Sequence, residues 1–303
     1  MKVSVFYYTQ SGQSLEAVKR VCAPLEQRGD AVRYVPIEPL EPFPFPWGNA
    51  STFFQAFPES RLLLPAPIKP IDFSADADAD LVMIAGQSWY LSPSQPIEAF
   101  LQNEGARAFL KGKKVVFVNA CRNMWAMTFK EVRLQLKSMG ADFVGHIVLQ
   151  DRYPNLVSVV TIVRWLIYGR KAAEGLFPAA GVSDVEIQGA SKFGEVIADV
   201  SANDDWDNLQ PRLVAKGGSP YRSALVFMER TGHRIFGIWA PLIRKKGGPG
   251  SKEREGRLKA FEWYLYFVLF VASPFGLCVY YLTYIFRLWK IKKEKADLTN
   301  VKG

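Results

Sequence analysis

Short apolar runs alternate with helical patterns along the first half of the chain. The runs lie at Val3–Tyr7, Ala31–Ile37, Leu81–Ala85, Lys114–Asn119 and Val144–Leu149. Between them, apolar residues recur every three or four positions, as at Leu15, Val18 and Cys22, which is the spacing of an amphipathic helix. Runs that are apolar on both faces are typical of buried parallel strands. We therefore predict an α/β domain over residues 1–152, with a doubly wound, five-stranded parallel sheet in the order 2-1-3-4-5.

A polar loop joins the first strand to the first helix. Its residues are Thr9, Gln10, Ser11, Gly12, Gln13 and Ser14. Hydroxyl groups and the unpaired backbone amides at a helix N-terminus can bind one phosphate group, and the glycine lets the backbone approach closely. The loop has neither the lysine of a Walker loop nor the three glycines of a dinucleotide-binding loop. We interpret it as a phosphate site, with a serine-rich helix cap as the alternative.

Two further loops follow the third and fourth predicted strands. Because the carboxyl ends of parallel strands meet at one edge of the sheet, both loops should lie beside the first. One contains Gln87, Ser88, Trp89 and Tyr90, and the other contains Ala120, Cys121, Arg122 and Asn123. Trp89 and Tyr90 offer flat faces on which a ring system can stack, although aromatic residues at a strand end are also ordinary core residues.

In these three loops the chain resembles the flavodoxin-like family. The segment from Gly86 to Pro96 is similar to the second flavin loop of the quinone-reductase branch, with Ser88 where a proline is usual. The resemblance implies that FMN binds here, held by the residues named above in all three loops. Arg122 is then the candidate catalytic residue, because a guanidinium stays charged and can stabilise negative charge on the reduced flavin or on an enolate oxygen.

Four segments carry a closer resemblance: Tyr7–Gln13, Pro42–Trp47, Phe57–Ser60 and Cys121–Trp125. They are similar to the flavodoxin-like proteins of dialkylresorcinol and flexirubin-type pigment biosynthesis, labelled dialkylresorcinol condensing enzymes. Carbon–carbon condensation normally needs an activated cysteine with histidine partners, and the chain has only His146 and His233. We therefore interpret Cys121 as structural, and we expect His146 to be a hydrogen-bonded residue of the fifth strand.

A proline-rich and aromatic insert follows the second strand. Residues 39–70 contain closely spaced prolines, with Phe43, Phe45, Trp47, Phe53, Phe54 and Phe57 among them. Proline at this density argues against a regular helix or a central strand. Long connections inside α/β domains are commonly binding loops. We expect the insert to form the wall of an apolar substrate pocket, with a packed cover over the sheet edge as the alternative.

Composition narrows the possible partners. The three cysteines, at 22, 121 and 278, show no pairing pattern and no metal-ligand spacing, so we expect a reducing compartment and no metal. The net charge is +9, but residues 1–150 carry 15 Lys/Arg against 14 Asp/Glu, whereas residues 244–295 carry 12 against 4. The excess flanks an apolar run, which favours an anionic membrane surface over nucleic acid as the partner.

The C-terminal half divides by composition. We expect a helical, mixed extension over 153–246, a basic linker over 247–260, a membrane segment over 261–289 and a basic tail over 290–303. Residues 263–286 carry no charge and would span about 36 Å as a helix, enough to cross a bilayer. Since basic residues flank both ends, a kinked single span and a re-entrant hairpin both remain open. Residues 155–170 suggest a helix that covers the sheet, or an interfacial helix.

These features together predict a membrane-tethered, FMN-dependent oxidoreductase of the bacterial inner membrane, with its flavin domain in the cytoplasm. A lipophilic substrate is expected, and one suitable reaction is the dehydrogenation that aromatises a dialkyl-cyclohexanedione. Two alternatives remain. One is a quinone reductase that uses NAD(P)H with the same flavin site. The other is a flavin-free scaffold that recruits enzymes of a biosynthetic pathway to the membrane.

Overall fold

The core of the protein is a parallel sheet. The computed structural model describes residues 1–302, with strands β1 (Lys2–Tyr7), β2 (Ala31–Pro36), β3 (Leu81–Trp89), β4 (Ser92–Pro93), β5 (Lys114–Cys121) and β6 (Asp142–Gln150). The five long strands pair in parallel in the order β2-β1-β3-β5-β6. Without β4 this is the predicted order 2-1-3-4-5, so the predicted α/β fold is confirmed. The two-residue strand β4 pairs antiparallel with the end of β3 and adds to the five predicted.

Helices surround the sheet and continue to the end of the described chain. They are α1 (Gln13–Gln27), α2 (Ala50–Gln55), α3 (Phe57–Arg61), α4 (Gln95–Gln102), α5 (Glu104–Leu110), α6 (Ala126–Met139), α7 (Asn155–Tyr168), α8 (Asp184–Gln188), α9 (Ser191–Ala202), α10 (Leu209–Ala215), α11 (Ser223–Arg244), α12 (Glu255–Phe267), α13 (Ser273–Leu282) and α14 (Leu288–Leu298).

The sheet has a packed helical layer on each face. Helices α4, α5 and α6 cover one face, whereas α1 and α8 to α10 cover the other. Helix α9 lies so close to α1 that a Cβ on Gly194 would come within 1.9 Å of the Val21 carbonyl oxygen. Residues 184–215, which follow the predicted boundary at 152, contribute α8 to α10 to this second layer. Helix α7 is not the sheet-covering helix that its sequence suggests.

The proline-rich insert starts and ends side by side. The Leu40 amide donates to the Pro67 carbonyl at 2.8 Å. The expectation that the insert holds no regular helix is wrong, since it contains the short helices α2 and α3. Pro58 lies in the first turn of α3, where its missing amide is not needed, and the Asn49 side chain caps α2 by accepting from the Thr52 amide at 2.8 Å.

The apolar segment forms one long helix that is attached to the domain near both ends. A continuous helix of 31 residues runs from Lys252 to Leu282, through a wider turn over Val268–Ala272 that joins α12 to α13. Phe261 is fully buried near its start, and Tyr280 is 2% exposed near its end, against Phe227 of α11. Residues 252–260 of the predicted 247–260 linker form the first turns of this helix.

A buried ion pair holds the start of this helix. The Arg254 guanidinium is fully buried and donates to both carboxylate oxygens of Glu59, at 2.7 and 3.0 Å. Arg254 also donates to the carbonyls of Gln55 and Gly247. The pair therefore attaches the start of the long helix to α3. Removing either partner would break this attachment and leave a charge buried.

The last helix returns to the sheet domain. Asp297 of α14 pairs with Arg133 of α6 at 2.7 Å, and Arg133 also donates to the carbonyl of Asn300 at 2.9 Å. Leu298 and Val301 are 0% and 5% exposed and belong to the core on that face of the sheet. The predicted basic tail over 290–303 thus contains most of α14 and contributes Leu298 and Val301 to the core.

We expect Glu98 to make stability depend on pH. Its carboxylate is 1% exposed and accepts from Gln102 and Gln135 at 2.6 and 2.8 Å, and burial raises its pKa from 4.5 to about 7. Because this pKa lies above that of the unfolded chain, the folded protein binds more protons between those values, and stability falls as pH rises through the window. Glu98→Gln should remove this loss. The difference in free energy of unfolding between the variant and wild type should therefore shift in favour of the variant by about 2 to 3 kcal/mol as pH rises from 5 to 8.

Denaturation midpoints of both proteins across that range would measure the difference. The exposed Glu195 of α9 offers a matched control, and Glu195→Gln should follow wild type at every pH. A difference between wild type and Glu98→Gln that does not change with pH would contradict the expectation.

Candidate functional site

A cavity lies at the carboxyl ends of β1, β3 and β5, where the three polar loops meet. Its volume is about 230 Å³, below the range of about 300 to 1,000 Å³ for enclosed ligand sites. It is half open, and the exposed Gly12 lies beyond its rim. A ligand larger than the cavity would therefore extend toward the start of α1.

The first loop presents an uncapped helix N-terminus. Gly12 adopts a left-handed conformation (φ 88°) before α1, and no side chain in the described part of the chain caps that helix. The buried Thr9 Oγ1 has no hydrogen-bond partner among residues 1–302. An uncapped amide cluster beside a buried, unpartnered hydroxyl is the donor set that a phosphate group requires.

Other side chains of this loop hold neighbouring segments. Gln10 donates to the Pro44 carbonyl at 2.8 Å. The Gln13 amide donates to the carbonyl of Val182 at 2.7 Å and accepts from its N–H at 3.2 Å. Ser14 lies 3.4 Å from the Gln87 side-chain oxygen. The loop thus joins the insert, the second loop and the segment around residue 182.

The second loop is bent and aromatic. Tyr90 and Leu91 both have positive φ, 48° and 65°, a strained backbone for bulky residues that is concentrated at functional sites. The Trp89 ring meets Phe43 edge to face at 4.9 Å. The Tyr90 hydroxyl donates to the Phe53 carbonyl at 2.6 Å, and burial raises its pKa well above 10. The loop therefore packs against the insert and presents neutral groups to the cavity.

The third loop places a positive charge on the cavity wall. Arg122 donates to the side-chain and backbone oxygens of Asn155 at 2.7 and 3.1 Å, and burial lowers its pKa to about 10, so it stays protonated at neutral pH. Below it, the Glu229 carboxylate of α11 accepts from the amides of Ala126 and Met127 at 3.1 and 2.8 Å. Glu229 thereby caps the N-terminus of α6 and holds the third loop, which precedes that helix, in place. Burial raises the pKa of Glu229 to about 7.

Most of the predicted site residues meet at this cavity. Those that line it are Gln10, Ser11, Gln13, Ser14, Gln87, Ser88, Trp89, Tyr90, Ala120, Cys121 and Arg122. Thr9 and Gly12 lie in the same first loop outside the lining, and Asn123 lines a second cavity instead. The three loops meet because β1, β3 and β5 are neighbours that pair in parallel, so their carboxyl ends lie at one edge of the sheet.

The opposite wall comes from residues that the loop motifs do not include. They are Trp47, Phe53, Ile162, Trp165, Leu166, Gly181 and Val182. Trp47 and Phe53 belong to the insert, so this part of the insert forms a pocket wall. Phe54 and Phe57 of the insert instead pack against α11 and α12. Helix α7 is neither a sheet cover nor a free interfacial helix, since Trp165 and its neighbours form this wall. Trp47 lines the cavity, and its buried Nε1 has no hydrogen-bond partner within residues 1–302.

Cys121 and His146 do not form a nucleophile and base. Burial raises the pKa of the Cys121 thiol far above its ordinary value. His146 is fully buried among Phe117, Trp125 and Phe129, and burial lowers its pKa to about 3. The expectation of a hydrogen-bonded His146 is wrong for its ring, because neither ring nitrogen has a partner in the described chain.

No family model matches the chain, and no curated protein matches it either. Solved structures with a similar fold include a flavoprotein of Lactobacillus acidophilus in complex with FMN, at 15% identity and TM-score 0.37, covering 50% of this chain and 93% of its own. A WrbA-like flavodoxin of Agrobacterium tumefaciens has 12% identity and TM-score 0.36, covering 67% and 98%. An archaeal flavodoxin has 13% identity and TM-score 0.37, covering 66% of this chain and 97% of its own. The fold assignment rests on the strand order, which gives this chain a flavodoxin-like α/β domain.

Proposed function

We propose that this protein is a membrane-associated oxidoreductase that uses FMN in the first cavity. The observation that carries the proposal is the uncapped N-terminus of α1 beside the unpartnered Thr9 hydroxyl, at the switch point of a doubly wound sheet. Bound FMN would supply two-electron redox chemistry that no side chain provides. The phosphate would bind at residues 9–14, and the ring system would lie along the second and third loops.

The residues around the cavity suit the ring end of such a cofactor. The Trp47 indole N–H is a buried donor without a partner, which favours a carbonyl or ring nitrogen of the ligand at this wall. Arg122 adds a cation, held in place by Asn155. Their role is to orient the ligand and to stabilise the negative charge that develops on it or on an enolate oxygen of the substrate.

We expect Gly12→Glu to weaken FMN binding. A carboxylate at the start of α1 would repel the phosphate, so affinity should fall at least ten-fold, which is about 1.4 kcal/mol. The matched control is Gly29→Glu at the far end of the same helix. Both glycines have similar positive φ, 88° and 90°, with open space around the added Cβ, so both variants carry the same backbone strain.

The absorption spectrum of the full chain in detergent, with chromatography of the released cofactor, measures this. Loss of flavin in both variants would assign the effect to folding. A wild-type chain that stays colourless after reconstitution with FMN would overturn the proposal and support the scaffold alternative.

A second variant tests the opposite wall. A Cβ on Gly181 would lie 2.5 Å from the Trp165 ring and 2.6 Å from Gln13 Oε1, at a φ of +83°. Gly181→Ala should displace Trp165 into the cavity and weaken FMN binding about ten-fold or more. Gly175→Ala also has positive φ but open space, so it should bind FMN like wild type. Equal affinity of the two variants, measured by fluorescence quenching of FMN, would show that α7 does not form the cofactor site.

The membrane part of the proposal rests on the exposed face of the long helix. Its 18-residue apolar window has mean hydropathy 1.9 and is 6% buried. The exposed large apolar and aromatic residues of this region form what we call the apolar stripe: Trp263, Phe267, Phe270, Val271, Phe275, Val279, Tyr281 and Leu282 on the long helix, and Ile285, Phe286, Leu288 and Trp289 after its end. Lysines and arginines cluster on both sides of this apolar stripe. Since both ends of the helix are attached to one domain, we infer that the stripe inserts into one leaflet of an anionic membrane rather than crossing it.

We expect the double variant Phe267→Glu/Phe275→Glu to lose vesicle binding. Each phenylalanine contributes about 1.5 to 3 kcal/mol when its ring leaves water, and glutamate adds repulsion from the anionic lipid. Flotation with anionic vesicles should show at least a ten-fold fall in bound protein, with FMN content unchanged. The control Leu134→Glu/Leu176→Glu replaces residues that are 62% and 100% exposed elsewhere and should still float. A double variant that floats like wild type would exclude the stripe as the anchor.

A membrane-associated site with an aromatic wall suits a lipophilic substrate, and the resemblance of four sequence segments supports dehydrogenation in dialkylresorcinol-type biosynthesis. The competing reaction, reduction of a quinone by NAD(P)H, would use the same site. Rapid bleaching of the flavin by NADPH in a stopped-flow experiment would favour the quinone reductase.

A further inference from the structure

A second cavity lies beside the first, on the far side of Arg122 and Asn155. Its volume is about 630 Å³, within the range of about 300 to 1,000 Å³ for small-molecule sites. Its walls come from the start of α11, from the end of α13 with Tyr284, and from α14. Asn123 and Asn155 separate it from the first cavity.

Hydrogen bonding fixes the direction in which Asn123 points. The Arg122 guanidinium can only donate, so Asn155 must turn its side-chain oxygen toward it, at 2.7 Å. The same oxygen accepts from Asn123 Nδ2 at 3.1 Å. Asn123 therefore presents its Oδ1 away from Asn155.

This oxygen lacks a donor. Asn123 is 3% exposed, and its Oδ1 has no hydrogen-bond partner within the described residues, although the residue lines the second cavity. A buried acceptor without a partner is costly. A ligand hydroxyl or N–H in this cavity would satisfy it.

Aliphatic and aromatic side chains form part of the remaining lining. Met228 and Leu277 contribute aliphatic surface, and Tyr221, Tyr281 and Tyr284 contribute rings. Leu277 and Tyr281 belong to the long helix whose exposed face carries the apolar stripe, and Tyr281 itself is 63% exposed. The cavity therefore lies next to the surface that we propose to be inserted in lipid.

Charge at the cavity is positive. Arg222 and Lys295 line it and are exposed to solvent. The nearby carboxylate of Glu294 is already paired with Arg230 and with the Tyr221 hydroxyl. This positive charge disfavours a ligand with a cationic head group, and it is compatible with a head group that carries a hydroxyl.

We propose that the second cavity binds a hydroxylated amphiphile that enters from the membrane, with its hydroxyl donating to Asn123 Oδ1 and its alkyl chain between α11 and α13. Its role as the substrate and its entry from the membrane rest on the proposed function, whereas the presence of the cavity does not. The Asn123–Asn155–Arg122 hydrogen bonds then connect the amphiphile site to the cofactor cavity.

The test uses the full chain in nanodiscs of anionic lipid, with a 4-alkylphenol that carries a diazirine on its alkyl chain. Its methyl ether has the same shape without the donor. Photolabelling followed by peptide mapping should place the phenol on residues 221–228 and 277–284, and the methyl ether should label at least five-fold less. Met228→Trp fills the cavity and should reduce phenol labelling at least five-fold, whereas Thr231→Trp on the exposed side of α11 should not.

Flavin content is measured on the same samples. Retained FMN with no preference for the phenol over its ether, or with labelling that Met228→Trp does not change, would overturn this inference and leave the proposed function intact. Labelling confined to anionic lipid analogues would assign the cavity to a lipid head group and would also overturn it. Specific phenol labelling in a chain without FMN would uphold the site while the proposed function fails.

Discussion

The arrangement depends on the reversal of strand order between β1 and β3. Because parallel strands end at one edge, and the chain leaves β1 and β3 in opposite directions, the loops at their ends separate and leave a crevice. The groups proposed to meet the cofactor lie on these two loops, on the neighbouring loop after β5, or on a segment that closes over them. The helix dipole of α1 and the unpartnered Thr9 hydroxyl derive their position from this constraint, and the cation of Arg122 lies at the same edge, at the end of β5.

The crevice is closed by elements that come from far along the chain. Helix α7 and residues 180–182 follow the last strand, and Gln13 holds Val182 across 169 positions. The insert approaches from the other side, where Trp47 donates its backbone N–H to Leu166. These contacts convert an open loop cluster into a walled cavity. They also explain why the aromatic residues of the insert divide between the cavity and the packing of the long helix.

The strands and the loops at their ends could be predicted because buried apolar runs are local signals and the fold determines where such runs end. The closing elements could not. The helical propensity of residues 155–168 is visible in the sequence, but its position depends on edge-to-face contact of Trp165 with Phe45. The return of α14 depends on Asp297 meeting Arg133 across 164 positions, and a run of lysines gives no sign of that partner. The sheet-covering role of α9 depends on Gly194, whose lack of a side chain allows contact with α1.

The return of the chain has a consequence for how the protein is made. Leu298 and Val301 complete a core to which Phe6 and Phe117 also contribute, so the ribosome releases the last pieces of that core only after the whole apolar helix. Until then, one face of the sheet is incomplete while the uncharged stretch over residues 263–286 has already been synthesised. Targeting to lipid and completion of the core are therefore concurrent steps of synthesis, and nascent chains that meet no membrane expose both surfaces to aggregation.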